Sequence, residues 1–151
     1  MRWSNIPVPK PHMAAIVGAA TLHAILPLRI PLARGARMAL GGPMLATGIG
    51  LVAWAVASAG DAEVEGESAL VTSGAYAVTR NPMYVGWSVG ILGMALATGS
   101  VWLLAGLYAA VNALDREVHV EEERLLQRFS ASFASYRDRV PRYLGVSSSR
   151  R

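Results

Sequence analysis

Arg80, Asn81, Pro82, Met83 and Tyr84 stand together at the start of a long uncharged run, and Glu121, Glu122 and Glu123 follow its end. A guanidinium beside a helix start can hold an anion, because the first-turn N–H groups and the positive end of the helix dipole face the same ligand. Pro82 suits the first helical position, where its missing N–H costs nothing. Asn81 then falls at the N-cap, where its side chain can accept from backbone donors. The carboxylates of Glu121 and Glu122 can accept from an ammonium group or from two vicinal hydroxyls. Each group has a plainer reading alone: a capped helix with Arg80 reaching back to an interface, and a solvated acidic helix face. Together they describe a site with an anion-holding end and a cation-holding end. S-adenosylmethionine combines a sulfonium, an amino-acid head and a ribose, so it is the expected cofactor.

The elements that must position these groups are apolar helices. Segments 11–28, 38–60 and 81–114 contain almost no charge, and 53% of the chain is hydrophobic against 16% charged. Soluble domains carry roughly 25% charged residues, and about 20 apolar residues cross a hydrocarbon core. The expected fold is all-α: a polytopic membrane helical bundle of about four spans, 12–32, 38–59, 83–97 and 101–114, in one domain over residues 1–151. Residues 1–11 read as an irregular Pro-rich lead-in and 61–73 as an acidic loop outside the bilayer. Arg29, Arg34, Gly35 and Arg37 read as a short connection. The 81–114 run is too long for one span, at about 50 Å of helix, and Thr98-Gly99-Ser100 offers a turn that folds it into a hairpin. Glycines at 41, 42, 48 and 50, and at 90 and 93, are expected to let helices approach closely. The first segment has no clean small-residue cleavage site and reads as a retained span.

Beyond Asp115 the chain turns polar but keeps an apolar stripe. Leu125, Phe129, Phe133 and Tyr136 follow one helical face, on a cytoplasmic C-terminal helix that Pro141 should end. Residues 147–151 are expected to fray. Eight of the fourteen basic residues lie from Arg116 onward. They alternate with acids beside a membrane segment, which fits a cytoplasmic tail near anionic lipid and excludes a nucleic-acid surface. An even span count puts the N-terminus, Arg80 and the tail on one side. That side holds eleven basic residues against three, so positive-inside counting makes it cytoplasmic. There is no cysteine, so thiolate metal sites and cysteine nucleophiles are excluded. His12, His23 and His119 show no metal-ligand spacing, and no metal is expected.

With these residues in place, a resemblance follows. Gly74-x-Tyr76, Arg80-Asn81-Pro82-Met83-Tyr84-x-Gly86, Glu121-Glu122 with Leu125, Phe129 and Tyr136, and Val140-Pro141-Arg142 resemble the isoprenylcysteine carboxyl methyltransferases and their bacterial relatives. Phospholipid methyltransferases are similar in the same region. The resemblance covers about half of the chain. It implies a membrane-embedded S-adenosylmethionine-dependent methyltransferase without a Rossmann domain, in a bacterial inner membrane. Tyr76, Arg80, Asn81, Pro82, Tyr84, Glu121 and Glu122 would bind the cofactor, and Arg142 and Tyr84 would serve the reaction. Arg142 would steer an anionic acceptor. Asn81 replaces the family's usual His and cannot titrate near neutral pH, so cofactor positioning is expected there rather than proton transfer. Ser130 stands where the family often has Gly, an exchange expected to matter little.

In-line transfer of a methyl group from sulfonium to an oxygen, nitrogen or sulfur nucleophile needs alignment and desolvation more than acid–base residues. The expected acceptor is small and hydrophobic or amphipathic, with a carboxylate or an amine. Membrane lipid is the other expected partner, and oligomeric state stays open. Two further functions compete. A nicotinamide-dependent membrane reductase of the sterol-reductase type shares a similar tail pattern but is longer. A non-catalytic membrane scaffold would not need Arg80, Glu121 and Glu122, whose charges are costly at a membrane unless used.

Overall fold

The computed structural model describes residues 9–60 and 69–145. Residues 1–8, most of the expected acidic loop (61–68) and the expected frayed end (146–151) lie outside them. Four α-helices follow in chain order: α1 (Lys10–Ile25), α2 (Arg34–Ala59), α3 (Pro82–Thr98) and α4 (Val101–Arg139), with a 3₁₀ turn at Gly74–Ala77 between α2 and α3. Among the described residues the only β-type pairing is an isolated bridge between Arg29 and Ser100. The fold is all-α.

Local chemistry sets the helix ends. α1 begins behind Pro9, with a second proline in its first turn. It stops at Ile25 rather than reaching residue 32, because Pro27 has no N–H to give and restricts the residue before it. Leu26 is accordingly extended, at φ −136° and ψ 91°. Arg34 and Arg37 open α2 instead of lying in a loop. α3 ends on Gly99, whose φ of +72° lets Gly99 N–H bond Leu96 O (3.1 Å) and Ser100 N–H bond Ala95 O (3.0 Å), a Schellman closure. The expected hairpin turn is therefore present at 98–100. α4 runs unbroken past Asp115 as far as a kink at Ser130, where φ is 41° and ψ −111°.

Among the described residues, one helix is long and apolar enough to cross a membrane: α2, with 26 residues and a mean hydropathy of 1.6 in its most apolar window. α3 is apolar but has 17 residues, about 26 Å of helix. α1 has 16. The helices match the expected segments in number and order, but α2 alone has full span length and hydropathy.

The chain divides into two compact units. One comprises residues 9–50 and 86–116. Here Gly41, Leu45 and Gly48 of α2 lie on Gly86, Gly90, Gly93 and Ala97 of α3 so closely that added carbons do not fit. A Cβ on Gly48 would stand 2.6 Å from the Gly86 carbonyl oxygen, and one on Gly41 2.6 Å from that of Gly93. Ala19, Ile91, Ala95 and Leu103 form the buried core beside them. The chain leaving α1 is tied to the hairpin turn: Ile30 N–H donates to Gly99 O at 2.8 Å, and Val101 N–H to Leu28 O at 3.3 Å. Trp102 Nε1 donates to Leu26 O at 2.6 Å. His12, fully buried, lies 3.0 Å from Ser88 Oγ through Nε2.

The other unit comprises residues 51–60, 69–85 and 117–145. Ala55, Val56, Ala75 and Met83 form one small core. Phe133, Tyr136 and Val140 form a second, with Leu70, Leu125, Leu126 and Phe129 packed on it, so the expected stripe faces inward. Ser58 Oγ accepts from Ala75 N–H at 3.0 Å and holds the 3₁₀ turn against the end of α2.

Candidate active site

A pocket within this second unit is lined by residues that precede α3 and by one face of α4. Val118, Glu121, Glu122 and Leu125 supply the α4 face, at the i, i+3, i+4, i+7 spacing that puts residues on one side of a helix. Leu70, Phe133 and other apolar side chains form its remaining wall, and Tyr76, Arg80, Asn81 and Tyr136 bring polar groups to it. Of the expected site residues, Tyr76, Arg80, Asn81, Glu121 and Glu122 line this one pocket. Pro82 is buried at the α3 start, and Tyr84 is half-buried two residues further on. Neither belongs to the lining. Arg142 reaches the site through Glu122 rather than through the wall.

Asn81 is the N-cap of α3, its carbonyl accepting from Val85 N–H at 3.1 Å. Its side chain is turned to other work, its amide donating to Arg142 O at 3.0 Å. A carbonyl only accepts, so the NH₂ end must face it. Arg80, in the turn just before, does not reach for an interface. Its Nη2 meets Glu122 Oε1 at 2.9 Å, with only 8% and 11% of the two side chains exposed. Its Nη1 donates to Arg137 O at 2.9 Å.

Glu122 is the hub. Arg142 donates to it with Nε on Oε1 at 3.2 Å and Nη2 on Oε2 at 2.7 Å, the bidentate match of a planar guanidinium with a carboxylate. Both oxygens are therefore engaged. Arg142 Nη1 also approaches His119 Nε2 at 2.8 Å. Two arginines thus share one carboxylate. The expected anion-holding and cation-holding groups thus meet each other in this structure.

Burial decides the protonation behaviour of the tyrosines. Desolvation, and secondarily the charge of Glu121, push the Tyr76 phenol up to about 12. Burial raises Tyr136 as well, with Arg80 opposing it. Tyr136 Oη donates to Tyr76 O at 2.7 Å. Burial also pulls the Arg80 guanidinium down from its ordinary value, and the charge of Glu122 opposes that. Both phenols are neutral hydrogen-bonding groups at neutral pH.

Sequence reasoning missed Thr79. It is 1% exposed, and its hydroxyl donates to Arg142 O at 3.0 Å while accepting from Asn81 N–H at 3.3 Å. No spacing rule marks a threonine in a turn. Val118 was also missed, although its register with Glu121, Glu122 and Leu125 could have placed it.

Comparison with known proteins decides the family. The family model for phospholipid methyltransferases matches residues 36–132. The chain belongs to the phospholipid methyltransferase family. It is accordingly a membrane protein of a methyltransferase family, in keeping with α2. The matched stretch holds Tyr76, the 80–84 segment and both pocket carboxylates, whereas Arg142 lies beyond it. Two curated relatives are each 38% identical over 74 residues: the nickel-cobalt-cadmium resistance protein NccN of Alcaligenes xylosoxydans xylosoxydans and the cobalt-zinc-cadmium resistance protein CzcN of Cupriavidus metallidurans. Those 74 residues are 49% of this chain but only 35% and 34% of the relatives, so the likeness spans about a third of their length. No solved structure matches the chain significantly.

The pocket residues suit S-adenosylmethionine. Its wall joins an apolar surface to a carboxylate and a guanidinium, the donor and acceptor set that an adenine, a sulfonium and an amino-acid head require. Arg80 Nε is buried without a hydrogen-bond partner, an unmet donor at the pocket. Among the described residues no group of three His, Cys, Asp or Glu side chains is placed to hold a metal ion.

Proposed function

We propose that this chain is an S-adenosylmethionine-dependent membrane methyltransferase whose acceptor is a small hydrophobic or amphipathic molecule bearing a carboxylate or an amine. One observation carries the reading: Tyr76, Arg80, Asn81, Glu121 and Glu122 line a single pocket backed by apolar side chains, within a chain of a methyltransferase family. Glu121, on the pocket wall, would face the positive groups of the cofactor. Arg80 would meet its carboxylate, and Leu70, Leu125 and Phe133 would cover the adenine. When bound, the cofactor supplies an electrophilic methyl group on a positively charged sulfur. The protein's own part is alignment and exclusion of water, since a carboxylate acceptor is already ionised at neutral pH. An amine acceptor would first have to lose a proton.

The same proposal places the protein in an inner membrane with four helices across or within the bilayer and the pocket at the cytoplasmic face. The uneven basic charge supports that orientation. The names of the two curated relatives suggest a part in metal tolerance, exercised through methylation of a membrane component.

Calorimetric binding of S-adenosylmethionine to the detergent-purified protein tests the reading, with Glu121→Gln and Glu122→Gln alongside and the reduced nicotinamide dinucleotide as a rival ligand. The expected result is binding by the wild type and loss of at least tenfold in each variant, in Glu121→Gln through a lost charge-assisted contact and in Glu122→Gln through Arg80, which it no longer holds in place. Absence of binding by the well-folded protein would sink the methyltransferase reading, and a signal from the dinucleotide alone would replace it with the reductase.

A further inference from the structure

We propose that Thr79 and Asn81 are positioning residues that fix the main chain at Arg142 and so aim its guanidinium at Glu122. The binding readout of this proposal rests on the cofactor reading above; its structural readout does not.

α4 ends at Arg139, Val140 N–H still donates back to Tyr136 O at 3.0 Å, and the backbone beyond it has no helix to satisfy it. Three bonds from the 79–81 turn take over. Arg80 N–H donates to Pro141 O at 2.9 Å. Thr79 Oγ1 and Asn81 Nδ2 both donate to Arg142 O, each at 3.0 Å. A carbonyl oxygen has two lone pairs, and these two donors use both. The Thr79 hydroxyl also accepts from Asn81 N–H, so the two donors are linked to one another. Arg142 is thereby held by its carbonyl, and its side chain spans to Glu122 with two bonds of 3.2 and 2.7 Å. Glu122 then holds Arg80, whose guanidinium lines the pocket. One peptide oxygen thus links Thr79 and Asn81, through Arg142, to the Arg80–Glu122 pair on the pocket wall.

The chemical requirement at position 81 is donation alone. Aspartate at neutral pH cannot donate. Histidine can, and in either charge state it keeps an N–H for the Arg142 carbonyl. A proton-transferring residue at this position would behave differently, because its function would follow the imidazole's titration.

The test compares Asn81→Ala, Asn81→Asp, Asn81→His, Thr79→Val and Thr79→Ser in the full chain. Two readouts are taken: S-adenosylmethionine binding at pH 6 and pH 8, and hydrogen exchange of the Arg80 amide. Asn81→Ala, Asn81→Asp and Thr79→Val should each weaken binding about tenfold, the effect of one lost hydrogen bond, and should speed exchange of the Arg80 amide by a similar factor. Asn81→His and Thr79→Ser should stay within about threefold of wild type, with the ratio between the two pH values unchanged by Asn81→His. Wild-type behaviour of Asn81→Asp would overturn the proposal, as would Asn81→His failing like Asn81→Ala. If the wild type binds no S-adenosylmethionine, the cofactor reading falls and Arg80 amide exchange decides alone. Unchanged exchange in Asn81→Ala and Thr79→Val would then end this proposal too.

Discussion

The two compact units hold themselves together in opposite ways. In the unit of residues 9–50 and 86–116, α2 and α3 touch backbone to backbone through Gly41, Gly48, Gly90 and Gly93. Cohesion there comes from shape and close approach, as expected where lipid gives helices no hydrophobic reason to associate. In the unit of residues 51–60, 69–85 and 117–145, the turn before α3 and the end of α4 are joined by polar bonds: Arg80 and Arg142 on Glu122, Thr79 and Asn81 on Arg142 O, Tyr136 on Tyr76 O. Shape-based contacts tolerate no added atom but place no chemistry. Polar pinning places charged groups within tenths of an ångström, at the cost of needing every partner present. The candidate site lies entirely in the second kind of structure.

Adding one carbon to the first unit breaks the comparison most severely. Gly48→Ala forces a methyl into the backbone of α3, and no flexible side chain can move away. The expected loss is about 3 kcal/mol, the upper end for overpacking, read as a lowered midpoint of unfolding in detergent. Gly50→Ala, two residues along the same helix, is the control. Nothing lies within 4 Å of its added carbon, so it should be neutral or stabilise by up to about 1 kcal/mol through helix propensity. Equal effects at the two positions would show that the glycine contact does not hold α2 on α3.

Close packing of this kind was partly legible in the sequence, since small residues recur on apolar segments for few other reasons. Which glycines do the packing was not: Gly41 and Gly48 are in contact while Gly42 and Gly50 are open, and hydropathy is blind to the rotation of a uniformly apolar helix. The stripe of Leu125, Phe129, Phe133 and Tyr136 was legible because polar residues separate it from the opposite face. Residues 26–32 were misread as helix because they are as apolar as the helix before them. Pro27 stops the helix, and hydropathy does not record that. Arg80 and Glu122 were both found as site residues, but their pairing was not, because charge type says nothing of which partner a fold brings near.

Ser130 is a second place where sequence reading underestimated a residue, and it offers a smaller test within the polar unit. Its φ of 41° and ψ of −111° lie where a side chain crowds the backbone and glycine does not. Strain of this sort costs on the order of 1–3 kcal/mol. Ser130→Gly should relieve part of it and raise stability by about 1 kcal/mol, after allowing for the greater freedom glycine has in the unfolded chain. A melting temperature that stays the same or falls would mean that the kink is held without strain.

The mildest change sharpens the contrast by pH. Below about 10 the phenols of Tyr76 and Tyr136 are neutral in both folded and unfolded chains, and they contribute no pH dependence. Tyr76 ionises near 10 when unfolded but only at about 12 in the fold. Between those values the folded state binds a proton that the unfolded state has lost, so stability falls as pH rises through this window. Tyr136 is raised also and carries the loss further upward. Tyr76→Phe keeps the ring and the carbonyl that accepts from Tyr136, but it removes the ionising group. Its thermal unfolding should therefore match wild type at pH 8, and its decline between pH 10 and 12 should be shallower. An identical decline would assign the alkaline loss to Tyr136 or to groups in the other unit, and would mean that folding does not raise the Tyr76 phenol.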